Sequence, residues 1–280
     1  MGLNTDLVGK TYDTTTYEVT AEAIRSYAEA TNDDNDAYRR GDDAVGGPIF
    51  PIVAAFDSFM GAAMDPELRA DLLRLVHGQE DHVLYRPLRP GDKLTVTPVL
   101  ESVDVKESGE TFTVKATLTD VDDELVAEVR GTMFIRGTGS RKAAVAAARA
   151  ESQPPGEVVY EESTVVDEDQ TKRYAEASGD HNPIHLDEDT ARMAGLPGII
   201  AHGMCTMAIA TKAAVNGLAG GDPTRVKRVA VRFSKPVLPG QELITRLWKE
   251  SEGGGTVTYG FETCNPDGKA VIKSGVVEIA

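Results

Sequence analysis

An α+β fold built twice is what this sequence predicts, and three observations predict it. Short segments recur in the same order at nearly one spacing. Each copy places an apolar helical segment ahead of a run of alternating strands. A Pro- and Ala-rich stretch separates the copies, giving a first domain at 1–140, a linker at 141–156 and a second domain at 157–280.

The repeat is direct. Tyr27-Ala28-Glu29-Ala30-Thr31 returns as Tyr174-Ala175-Glu176-Ala177-Ser178, an offset of 147. Arg86-Pro87-Leu88-Arg89-Pro90-Gly91-Asp92 returns as Lys235-Pro236-Val237-Leu238-Pro239-Gly240-Gln241, an offset of 149. A period this long is a whole small domain, not a solenoid unit. The 280 residues suffice for two cores.

In the first copy, Thr20 caps a short helix to Ala30 whose Ala23, Ile24, Tyr27 and Ala28 share one face. A polar loop over 33–43 leads to an apolar helix at 52–64, then to strands near 82–86, 93–106, 110–121 and 124–136. In the second copy, 166–177 repeats the short helix with Asp167 as its cap, and 179–189 the loop. The apolar helix follows at 202–218, with strands near 226–235, 241–251, 255–264 and 269–279. The helix at 202–218 is apolar on most sides, as one wrapped by protein should be. Asp122-Asp123 and Pro266-Asp267-Gly268 supply hairpin turns. One helix on one antiparallel sheet leaves an open face, so the copies are expected to pack side by side and continue a single sheet. The alanine run 141–150, ended by Pro154-Pro155-Gly156, reads as a tether.

Composition narrows the function. A net charge of −16 argues against nucleic acid, which needs a basic surface. Residues 1–140 carry a net −13 and residues 141–280 only −3. In the second half Arg225, Lys227, Arg228, Arg232 and Lys235 lie close together. They suit either a solvated edge strand or a patch for phosphates or an acidic carrier. There is no apolar run of 18 residues for a membrane span, and the start MGLNTDLVGK has no secretory pattern. Cys205 and Cys264 lack metal or redox spacing and read as small apolar residues in a reducing cytoplasm.

The chemistry concentrates in 174–204. Asp180 and His185 are separated by Asn182-Pro183, which forces a turn and lets both side chains face one cavity. A carboxylate beside an imidazole in a partly dry site supplies a proton donor and an acceptor. Asn182 is placed to fix the local backbone or orient the carboxylate through its amide. His202-Gly203 opens the apolar helix, where the Gly203 N–H, with no Cβ beside it, can meet a developing oxyanion. His181 is expected to point away, and His202 to cap the helix. His77 and His82 have no counterpart in the other copy and read as structural.

Taken together, Tyr174 through His185 and Ile200 through Met204 resemble the MaoC-like (R)-specific enoyl-CoA hydratase, or hydratase 2, family. That resemblance covers most of 157–280. It implies a hot-dog fold, a long helix wrapped by a curved antiparallel sheet, and so a double hot-dog for the whole chain. It further implies Asp180 and His185 as the catalytic pair, Asn182 in support, and Gly203 as the oxyanion donor. The expected substrate is an acyl-CoA or acyl-ACP thioester, with no metal or redox cofactor. A homodimer of the two-domain chain is consistent with it.

The first half resembles the degenerate N-terminal hot-dog of two-domain members and of heterodimeric mycobacterial-type hydroxyacyl-carrier dehydratases. Asp33 and Asn35 align with Asp180 and Asn182, but Tyr38 stands where His185 would be. Gly47-Pro48-Ile49-Phe50-Pro51 replaces the Ala-His-Gly lead-in, so only one working site is expected. Two other functions fit parts of the pattern: a hot-dog thioesterase, and a non-catalytic acyl-CoA-binding module.

Overall fold

A computed structural model describes residues 2–72, 74–106, 109–136 and 155–280. The alanine run and most of the linker lie outside the described residues. The first copy runs β1 (Thr15–Glu18), α1 (Ala21–Ala30), α2 (Pro51–Ala63), β2 (Leu75–Leu84), β3 (Lys93–Lys106), β4 (Gly109–Thr119) and β5 (Leu125–Arg136). The second runs β6 (Val158–Val165), α3 (Gln170–Ser178), α4 (Glu188–Met193), α5 (Gly203–Gly217), β7 (Val226–Phe233), β8 (Glu242–Gly253), β9 (Thr256–Cys264) and β10 (Ala270–Ile279).

All ten strands form one antiparallel sheet in the order β1-β3-β4-β5-β2-β7-β10-β9-β8-β6. Read from either end, the order is the same once each strand is exchanged for its counterpart in the other copy. The copies are therefore related by a pseudo-twofold axis, which passes between β2 and β7. There Gln79 pairs with Arg232 and Asp81 with Ala230. The join gives each half-sheet a partner on an edge it would otherwise expose. This is a double hot-dog: each half-sheet wraps its own central helix, α2 or α5.

Helix α5 buries Met204, Cys205, Met207, Ile209 and Val215 together with Thr206 and Thr211. The two threonine hydroxyls donate to the carbonyls one turn back, at His202 and Met207, so their burial leaves no unmet donor. Helix α1 packs on α3 across the axis. Here the hydroxyls of the repeat-related Tyr27 and Tyr174 lie 3.4 Å apart, both buried. Among the described residues no helix is long and apolar enough to cross a membrane.

The structure corrects several expectations. Helix α3 starts at Gln170, not 166, with Asp169 in the N-cap position. The Asp167 carboxylate is drawn instead to Arg173, 2.6 Å away. Each copy has a further strand before its first helix, β1 or β6. Both are sheet edges with no fully buried residue, and the valines of β6 (Val158, Val159 and Val165) are among its exposed side chains, so hydropathy does not announce either strand. Strand β2 begins at Leu75 rather than 82 because inward-facing polar residues mask its pattern. Helix α4 begins at the end of the expected loop and runs beyond it, capped by Asp187 Oδ1 accepting from the Thr190 N–H at 2.8 Å.

The edge-strand reading of the basic patch also fails, because β7 is central. Arg228 donates to both carboxylate oxygens of Asp81 at 2.9 Å and to Glu278 at 3.2 Å, tying the seam together. Arg225 and Lys227 donate to main-chain carbonyls. Arg232 and Lys235 are exposed.

Candidate active site

The site begins where α3 stops. Gly179 takes φ +82°, a left-handed cap that costs a glycine nothing and turns the chain sharply. Ser178 Oγ accepts from the Asp180 N–H at 3.2 Å. Asp180 Oδ1 then accepts from the Asn182 N–H at 3.1 Å, which fixes the carboxylate from its own backbone. Asn182 Oδ1 accepts from the Ile184 N–H and starts the single 3₁₀ turn Pro183–His185. Of the two roles expected for Asn182, the structure shows the first: its side chain holds the turn. The carboxylate is oriented by the main-chain N–H and not by the side-chain amide. His181 is exposed.

That turn carries His185 inward, where 7% of it stays accessible. Its Nδ1 donates to the Ile200 carbonyl at 2.8 Å, leaving Nε2 with a lone pair in the neutral ring. His202, at the N-cap of α5, makes no side-chain cap bond. It donates instead through Nε2 to the Asp180 carbonyl at 2.9 Å. Its Nδ1 is buried without a hydrogen-bond partner. The His185 and His202 rings stack with centroids 3.8 Å apart, and the Tyr174 ring lies 4.7 Å beyond.

Burial pushes both imidazoles down. For His202 burial leads and the neighbouring His185 adds to it, bringing the group to about 3. For His185 burial again leads, but the Asp180 carboxylate works against it. Both rings are neutral near pH 7, so His185 Nε2 is available as a base beside a carboxylate.

Asp180, His185 and His202 each bring a ligating atom within 4.8 Å of the others, spacing that a metal ion could also use. Gly203 opens α5, and a Cβ built on it would lie 3.4 Å from the Phe233 ring. The structure thus gathers Asp180, His185 and the N-terminus of α5 at one place. Sequence reasoning gave His202 only a capping role and missed its ring as the support under His185. The signal was its position directly before Gly203.

The first copy preserves the scaffold and replaces the chemistry. Asp33 Oδ1 accepts from the Asn35 N–H at 3.1 Å, and Asn35 Oδ1 from the Ala37 N–H at 2.9 Å. The following 3₁₀ turn delivers buried Tyr38 instead of an imidazole. At the start of α2, Phe50 and Pro51 stand where α5 has His202 and Gly203, and Phe50 packs on Tyr27 at 5.7 Å. Burial raises Asp33 to about 6 and Tyr38 above its usual range. Both line a cleft with Thr31, Ile49 and Lys212.

Fold and site together define a double hot-dog protein with a carboxylate–imidazole centre at the head of the second copy's central helix. Comparisons with known proteins make this specific. Residues 149–264 match the MaoC like domain, and residues 6–129 match the FAS1-like, dehydratase domain region. The chain is 33% identical to 3-hydroxyacyl-thioester dehydratase Y of Mycobacterium tuberculosis, over 82% of this chain and 78% of that protein. It is 32% identical to mouse peroxisomal multifunctional enzyme type 2 over 83% of its own length, but spans only 31% of that longer protein. A MaoC-like dehydratase structure from Phytophthora capsici superposes with a TM-score of 0.81 at 25% identity, covering 99% of this chain and 98% of that one. The chain belongs to the MaoC-like dehydratase family.

Proposed function

We propose that the chain adds water to trans-2-enoyl thioesters to give (3R)-hydroxyacyl thioesters, and catalyses the reverse dehydration. One observation carries the reading: Asp180 and His185 converge, with ligating atoms within 4.8 Å, at the N-terminus of buried α5. The name of the mycobacterial relative, a 3-hydroxyacyl-thioester dehydratase, supports the same chemistry.

The geometry suggests the steps. A water between the Asp180 carboxylate and His185 Nε2 gives up a proton as its oxygen bonds to C3. The C2–C3 double bond opens, and negative charge moves onto the thioester oxygen. The Gly203 N–H and the helix N-terminus stabilise that charge; a donor of this kind contributes about 2.7–4 kcal/mol. The same acid–base pair then delivers the proton to C2. Water addition and proton transfer require neither a redox group nor a Lewis acid, so the reading includes no cofactor. Exposed Arg232 and Lys235 suit CoA phosphates or an acidic carrier protein.

The experiment is hydration of enoyl-CoAs from C4 to C16, with the chirality of the product determined. Formation of (3R)-hydroxyacyl-CoA supports the reading. Release of free thiol without hydration would make the chain a thioesterase. Calorimetric binding with no turnover of any substrate would make it a binding module.

A further inference from the structure

Strand β2 turns three polar side chains inward at the seam between the copies. Glu80 and His82 share the inner face by their two-residue spacing. His77 should face outward, but the register with β5 slips between His77 and Gln79. This bulge re-aims His77 toward Glu80. Gly78 permits it, since a Cβ there would lie 3.2 Å from the Thr132 carbonyl oxygen.

Glu80 has no accessible side-chain surface, and each of its oxygens meets one imidazole. His77 Nε2 is 2.7 Å from one oxygen and His82 Nε2 2.9 Å from the other. Burial acts to raise the Glu80 carboxyl, but the two imidazole bonds outweigh it and hold it below its ordinary range. Glu80 is thus an acceptor-only carboxylate, and both rings donate to it. His82 is sealed, with Nδ1 3.4 Å from the Pro48 carbonyl. His77 keeps 22% of its side chain open. With its Nε2 engaged by Glu80, Nδ1 is the ring nitrogen left to meet a ligand.

The open ring stands beside the other copy's site. Its centroid is 4.9 Å from that of Phe233, the ring that closes on Gly203. A thioester whose carbonyl sits on the Gly203 N–H sends its carrier arm away from the acyl chain. Two methylenes past sulfur, that arm presents an amide N–H. CoA and acyl carrier proteins share this phosphopantetheine arm.

We propose that His77 is a substrate-binding residue contributed by the first copy to the second copy's site, its Nδ1 accepting an amide N–H of the phosphopantetheine arm. This rests on the hydration reading above. Glu80 fixes the tautomer and orientation of the ring, as outer-shell carboxylates do for other working imidazoles.

The test compares two crotonyl thioesters, one of pantetheine and one of propanethiol, which has no amide. The wild type should show a lower KM for the pantetheine thioester. His77→Phe should raise that KM about five- to tenfold, the size expected for one neutral hydrogen bond, with kcat little changed. The S-propyl substrate should not respond, and His77→Gln, which restores an acceptor, should recover most of the loss. Equal wild-type KM values for the two thioesters overturn the proposal, whether or not the variants fold. A His77→Phe effect equal on both substrates also overturns it, because that marks a structural role. Hydration of neither substrate by the wild type overturns the hydration reading itself.

Discussion

His185 stacks on His202 at 3.8 Å, and each ring donates a hydrogen bond to a main-chain carbonyl, His185 to Ile200 and His202 to Asp180. The Ile200 carbonyl fixes the tautomer of the working imidazole, and burial disfavours its protonation. Two neutral rings stack without penalty; a charged one would face its neighbour in a buried site. The consequence is a pH range. Because His185 is held below 6.5, turnover should stay level from neutral pH to below that value before its acid limb falls. A kcat/KM–pH profile reads this directly, and an acid limb centred above 6.5 contradicts it.

The same depression appears in stability. A histidine with a lowered folded value binds fewer protons folded than unfolded, so stability is present above the unfolded value and is lost as pH falls. For His202 the window runs from 6.5 down to about 3. Within it each pH unit costs about 1.4 kcal/mol. His202→Asn should flatten this part of the pH–stability curve, measured by urea unfolding, relative to wild type.

Asp33 gives the opposite sign. Burial raises it to about 6, so it favours folding at low pH and loses that contribution as pH rises through 6. Asp33→Asn keeps the acceptor for the Asn35 N–H and removes the buried charge. It should stabilise the protein by about 1–3 kcal/mol at pH 8, with the gain shrinking below pH 6. Hydration should be unchanged, since the first copy is read as having no site of its own.

Gly203 can be tested with the first copy's own residue. Pro51 occupies the first position of α2, as Gly203 does in α5. Proline is well accommodated there, and His202, at φ −61° and ψ 138°, already has the extended backbone a following proline requires. Gly203→Pro removes one N–H and little else from the helix. It should lower kcat about 10²–10³-fold with the thermal midpoint nearly unchanged. A small effect on kcat would remove Gly203 from the oxyanion role.

Chelation tests the cofactor expectation. Although Asp180, His185 and His202 have the spacing of a metal site, dialysis against EDTA should leave hydration unchanged. Loss of turnover, restored by a divalent ion, would require a metal in the mechanism.

Much of this was legible in the sequence. The repeat announced two copies and one shared sheet, because segments of the same pattern at one offset must build the same unit. The turn from Gly179 to His185 was legible because glycine permits a left-handed cap, asparagine caps a turn through its side chain and proline fixes φ. What stayed hidden depends on tertiary partners. Strand β2 was shortened because His77, Glu80 and His82 look like surface residues until they bond one another inside. Strands β1 and β6 were missed because their half-buried faces carry Thr15 and Tyr17, or Tyr160, Glu162 and Thr164, and so show no apolar alternation. The basic cluster looked like an edge, yet Arg228 meets Asp81 on a strand from the other copy, a contact no local pattern encodes.

The central claim is that one copy does the chemistry through Asp180 and His185. The most direct measurement is the crotonyl-CoA hydration rate of Asp180→Asn and of His185→Ala, each checked for a native thermal midpoint. The account predicts a fall of at least about 10²-fold in kcat for both folded variants. Near-normal rates in both would contradict it and move the reaction elsewhere in the fold.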